Sequence, residues 1–242
     1  MEGYDSRPYD PEGMKRACDK LEHGRARTEA IRNAIKAADA HADNPYRIFF
    51  RLYLCRESCF YGDKLDMMVI FPEALAIIDR YPDTPCTVFN NNYQDSMGHI
   101  LWVYKWILGS CPGFYQIAMA DCLKFLADFK ERSQSYGYNL KPYYKLKAGL
   151  YYSIDKAEEE RAFHAFERLP RDGNCDGRAC DRTAAIGFYL KKGDLQQADA
   201  LSKDIENFTL QGGGDRMRAW IIMNAHYMHY YLQKRDFARA EE

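Results

Sequence analysis

From about residue 11 to the end of the chain, apolar residues recur every three or four positions. No stretch alternates apolar and polar residues between tight turns as a half-buried strand would. The pattern predicts an all-α protein. In "DLQQADALSKDIENF", Leu195, Ala198, Leu201, Ile205 and Phe208 share one helical face, and Asp194 stands where its carboxylate can accept the first backbone N–H groups. Asn44 before Pro45 reads as a cap and first helical position, and Asp215 after three glycines reads as another helix start.

A short turn recurs between an aromatic-rich helix and a more charged amphipathic one. It falls at Gly62-Asp63, Gly113-Phe114, Ile154-Asp155, Gly193-Asp194 and Arg235-Asp236, at intervals of 51, 41, 39 and 42 residues. One such helical hairpin cannot bury its own apolar face, so a series of them must stack to form a continuous core. In "GFYLKKGDLQQADAL", Tyr189, Gly193-Asp194 and Ala198 stand where the tetratricopeptide repeat family carries its tyrosine, turn and small alanine. In "YYLQKRDFARAEE", Tyr231, Asp236 and Ala240 do the same. The chain resembles that family in architecture over residues 45–242 and in motif over 184–242, with Met67 and Glu159 at the small-residue position of earlier repeats. The resemblance implies a right-handed superhelical array of antiparallel helical hairpins, a tetratricopeptide-repeat (TPR)-like solenoid. On this reading residues 1–10 form a flexible tail and residues 11–242 a single domain. That domain is expected to continue past the C-terminus, because "FARAEE" stops less than two turns into a helix.

Composition narrows the partners. Aromatic residues make up 14% and charged residues 29% of the 242, which describes a folded chain rich in bulky packing groups. A formal net charge of −1 provides no global field toward nucleic acid or an anionic membrane. "RSQSYGYNLKPYYKLK" combines Arg132, Lys141, Lys145 and Lys147 with four tyrosines and could grip phosphates, but within a near-neutral chain nucleic acid is not the expected partner. The opening "MEGYDSRPYDPEG" has no signal-peptide pattern and no segment is apolar enough to span a bilayer, so a cytoplasmic location without membrane contact is expected. Most of the eight cysteines sit inside apolar helical runs, where reduced thiols are the default.

The densest candidate chemistry is "RDGNCDGRACD", residues 171–181. Cys175 and Cys180 are separated by four residues, whereas zinc and dithiol sites usually use two so that both sulfurs converge. The stretch is similar to an Arg-Asp…Asp-Cys-x-x-Cys motif of some bacterial tetratricopeptide-like proteins, with Gly177 in place of the first cysteine. Three readings stand: a zinc site, a reversible disulfide between Cys175 and Cys180, or an inter-helix turn with incidental thiols and with Asp176 or Asp181 as a helix cap. His226 and His229 are the nearest further ligands. Aligned by the turns, they lie roughly 6 and 10 Å out of level with Cys180, too far for a zinc bond without a helix shift. Cys55 and Cys59 are read as packing residues, and the glycines of "QGGGDRMRAW" as a linker, since they lack the Gly-Lys-Ser/Thr ending of a phosphate loop.

No catalytic elbow, zinc helix or dinucleotide fingerprint is present, so the chain is expected to be no enzyme and to need no cofactor or metal. The expected function is a protein- or peptide-binding scaffold. Its alternative is a redox- or zinc-responsive module built on Cys175 and Cys180. The resemblance implies that the first helix of each hairpin lines a concave groove, which would receive Arg56, Phe60, Lys141, Tyr144, Tyr151, Asn224 and His229.

Overall fold

A computed structural model describes residues 8–82, 84, 96–152, 154–209 and 214–241. Among these residues all regular structure is helical. The helices pack as successive pairs: α1 (Pro11–Lys20) with α2 (Arg25–Ala40), α3 (Asn44–Tyr61) with α4 (Leu65–Arg80), α5 (Ser96–Tyr115) with α6 (Met119–Ser135), and α7 (Lys141–Tyr151) with α8 (Lys156–Arg168). Two further pairs follow, α9 (Arg178–Lys192) with α10 (Leu195–Thr209) and α11 (Gly214–Gln233) with α12 (Phe237–Glu241). No helix among the described residues is long and apolar enough to cross a membrane. The chain divides into two compact units, Met1–Asn174 and Cys175–Glu242.

The first unit is organised around α3, which packs against α2, α4 and α5. Ile48, Phe50, Leu52, Leu54 and Cys55 are all buried, so the helix is covered on more sides than an amphipathic surface helix. Asp43, not Asn44, is its N-cap, with the carboxylate accepting from Tyr46 N at 3.3 Å, and Asn44 is the first helical residue. α3 also packs on α5, and α5 on α7.

Two polar networks cross this core. Arg51, 6% exposed, donates through Nη1 and Nη2 to Asp39 at 3.0 and 2.8 Å and through Nε to Glu73 at 3.0 Å, tying α2, α3 and α4 together. The Tyr104 hydroxyl donates to Asp128 and accepts from Arg132 Nε at 3.0 Å, while Arg132 Nη2 reaches Asp79 at 2.8 Å, which ties α4, α5 and α6.

Tyr9 and Asp10, just ahead of α1, are tied to the fold. The Tyr9 ring stacks on His41 at 4.2 Å and its hydroxyl donates to Asp43 at 3.1 Å, and Asp10 caps α1 by accepting from Gly13 N at 2.8 Å. Residues 1–7 lie outside the described residues. Four of the five expected turns fall between helices. The fifth, Gly113-Phe114, lies inside the last turn of α5, and the break comes at Gln116, whose φ of 50° reverses the chain.

In the second unit α9 packs on α10 and α11 around Ile186, Leu190, Ala198, Ile205 and Met223. Gly193 takes the left-handed conformation, φ 78°, that ends α9, and Asp194 then caps α10 by accepting from Gln197 N at 3.1 Å. α11 begins at Gly214, so Asp215 falls within its first turn. At mid-helix in α9, Gly187 admits the His226 ring of α11: an added Cβ would lie 2.9 Å from Cε1, 3.1 Å from Nε2 and 3.2 Å from Nδ1. Alanine is the better helix former by about 1 kcal/mol. Crowding a rigid ring costs about 1–3 kcal/mol and wins. Gly187→Ala is therefore expected to lower stability by about 1 kcal/mol in urea melts. In a His226→Ala background the same change is expected to raise it; equal effects in both backgrounds would show that the close approach is not the cause.

Candidate functional site

The connection between α1 and α2 closes over α3 to form a cleft of about 460 Å³. Its floor is Glu57, only 2% exposed despite its charge. The carboxylate is held at Oε2 by His23 Nδ1, 2.9 Å away, and at Oε1 by the backbone N–H of Gly24, also 2.9 Å away, with Arg27 Nη1 3.9 Å from Oε2. Gly24 sits at φ 120°, a backbone that side-chain-bearing residues rarely adopt, and this brings its N–H down to Glu57. Arg27 secures the connection by donating through Nε to Leu21 O at 2.8 Å and through Nη2 to Asp19 O at 3.1 Å.

At one rim, Asp19 accepts from Tyr53 OH at 2.7 Å and from Lys15 Nζ at 2.9 Å. Burial works to raise this carboxyl, but those hydrogen bonds and the Lys15 charge hold it below the usual range. At the other rim the His23 ring stacks on Tyr61, centroids 3.8 Å apart. Phe60, 48% exposed, carries the surface onward as an aromatic row: its ring lies 5.9 Å from Trp102 and 5.5 Å from Trp106, and the two indoles are 5.6 Å apart. Behind them His99 lies 5.4 Å from Trp102 with its Nε2 sealed from solvent. Burial, reinforced by the positive charge of Arg56, pushes that imidazole down to about 4.

Of the residues expected to face a groove, Arg56 and Phe60 line this cleft together. Tyr144 and Tyr151 lie on α7, both partly buried: Tyr144 packs on Tyr143 at 5.0 Å and Tyr151 lies beneath Lys147 Nζ at 5.7 Å. Lys141 is not offered to a partner. It is 8% exposed, and its ammonium donates to the carbonyls of Phe166 at 2.5 Å and Leu169 at 3.0 Å, at the C-terminal end of α8, where helix carbonyls attract a cation. Asn224 and His229 are exposed on α11 and belong to the second unit, with His229 Nε2 2.8 Å from Gln233 Nε2.

His23, Glu57, Trp102 and Trp106 were not among the sequence candidates. The only signal for the tryptophans is their spacing of four, which puts both on one face of α5.

Cys175 and Cys180 are partly buried and not joined by a disulfide. Among the described residues no three His, Cys, Asp or Glu side chains gather where they could hold a metal ion. The stretch around them is a helix connection with a different anchor from the one expected. Gly177 is the N-cap of α9, and Asp181 lies inside the first turn, 8% exposed. It is Asp172 that ties the loop down, accepting from Asn139 N at 2.7 Å and Asn174 N at 3.0 Å. Cys55 and Cys59 are buried in α3 as packing groups, and burial pushes the Cys55 thiol far up. The glycines at 212 and 213 lie outside the described residues. No protein-family model, curated protein or solved structure matches the chain.

Proposed function

We propose that the chain is a non-catalytic binding protein of the cytoplasm that takes a segment of a partner protein along the cleft and aromatic row of the α1–α2 connection, α3 and α5. The observation that supports this is the exposure of Phe60 and Tyr61 beside a recessed polar cleft, backed by Trp102 and Trp106. Large rigid rings supply contact area at little entropic cost and so act as binding anchors. Stacking of the hairpins as a right-handed TPR-like superhelix belongs to the same proposal. It would set α3, α5 and α7 along one concave face and extend the groove toward Tyr144 and Tyr151.

The test is selection of binders from a random peptide library on the full chain, followed by titration of synthesised hits against wild type and Phe60→Ala. Loss of an anchor ring is worth about 2 kcal/mol, so affinity is expected to fall roughly thirty-fold while thermal unfolding is unchanged. Hits that bind both proteins equally would remove the proposal.

A further inference from the structure

We infer that α11 is a self-association surface, on which two copies of the chain pair about a two-fold axis with their α11 helices antiparallel. The inference concerns the second unit and is independent of the binding role argued for the cleft of the first.

α11 presents two stripes on opposite sides. One faces inward: Met223, Tyr227 and Tyr230 pack in the core with α9 and α10, and the His226 ring fills the space at Gly187. At roughly 100° per residue, the side opposite them is made by Ile221, Ala225, Met228 and Leu232. All four are exposed, Ile221 at 56%, Met228 at 48% and Leu232 at 45%. Their spacings of four, three and four residues are those of a coiled-coil seam. Contiguous apolar surface of this kind, left in water, marks a place where another surface docks.

Charge and symmetry select a second copy as the occupant. Residues 220–233 contain no Asp, Glu, Lys or Arg. The positions flanking the seam, Ile222, Asn224, His229 and Tyr231, therefore hold no carboxylate, ammonium or guanidinium that would choose a partner of opposite charge, and none that would repel a like copy. The spacing of four, three and four also reads the same in both directions, so an antiparallel copy meets it in register. Ile221 then lies across from Leu232 of the second copy, and Ala225 across from its Met228, a small side chain receiving a long adaptable one. Each contact occurs twice, with the two-fold axis passing between residues 226 and 227.

Sedimentation velocity on the full chain over a range of concentrations tests this. Wild type is expected to form a dimer in the micromolar range that dissociates on dilution. Ala225→Glu and Met228→Lys each set a charge against an apolar side chain at both copies of one contact, and each is expected to weaken the dimer at least about tenfold. In an equimolar mixture of the two variants, the new carboxylate of one meets the new ammonium of the other, while the second contact keeps its native residues. The mixed dimer is therefore expected to form at least about tenfold more tightly than either variant pairs with itself, a recovery that misfolded variants could not show. A wild-type chain that stays monomeric overturns the inference, as does a dimer indifferent to both substitutions. A mixture that fails to recover overturns it too, by removing the antiparallel register.

Discussion

Tyr104→Ala is expected to lower the unfolding free energy by about 4 kcal/mol, and Tyr104→Phe by about 1 kcal/mol. The Tyr104 ring has no exposed surface and packs among Phe125 at 4.5 Å, Phe71 at 4.9 Å and Phe129 at 5.6 Å, so alanine leaves a cavity walled by three rings from α4 and α6 that cannot collapse into it. Deleting a buried aromatic side chain costs about 3–5 kcal/mol. Phenylalanine keeps the ring and removes only the hydroxyl. Arg132 then still holds Asp128 at 3.2 Å and Asp79 at 2.8 Å, and the partly exposed Asp128 can recover a water in place of the phenol, so the loss is that of one ordinary hydrogen bond. Urea unfolding of the two variants checks the split, and a phenylalanine variant as damaged as the alanine one would place the stabilisation in the polar network instead.

Arg51→Leu is expected to cost about 3 kcal/mol near neutral pH, toward the lower end of the range for removing one partner of a buried ion pair. Asp39 and Glu73, at 36% and 48% side-chain exposure, can be rehydrated, which keeps the loss from being larger. The pH dependence identifies the cause. Burial works to raise the Asp39 carboxyl, but the hydrogen bonds from Arg51 and Arg47 and their charges hold it below its ordinary range in the folded state. The unfolded chain therefore takes up the proton first as pH falls. The stabilisation is complete above the ordinary carboxyl range, about pH 4, and is lost on acidification below it. Without Arg51 less of it exists to lose, so the gap between wild type and variant should narrow from pH 7 to pH 3. A constant gap would point to packing alone.

The helical register was legible because its signals are local. Gly193-Asp194 needs a left-handed residue and a carboxylate cap, and both are visible as letters. Gly113-Phe114 has the glycine without a carboxylate cap after it and misled, because the helix runs on through them to Tyr115 and the reversal falls to Gln116 instead. Half of the cleft was legible for the same reason: Arg56 and Phe60 sit one helical turn apart on a first helix. The other half arrives from elsewhere in the chain, His23 from the α1–α2 connection and the two tryptophans from α5. Between Arg56 and Ser58, Glu57 reads as one more surface charge, and nothing local announces that Gly24 will turn an N–H toward it. Lys141 failed in the opposite sense, since its partners are backbone carbonyls at the end of α8, which leave no mark in the sequence.

The enclosure of α3 also bears on how the chain is made. Among the described residues α3 packs on α5 as well as on α2 and α4, and α5 ends at Tyr115, so a chain emerging from the ribosome lacks that part of the cover of α3 from the synthesis of Tyr61 until that point. At roughly 5–20 residues per second this interval lasts about 3–10 s. Through that time the apolar side chains of α3 that α5 will cover stay exposed on the nascent chain, which is when it is most open to aggregation.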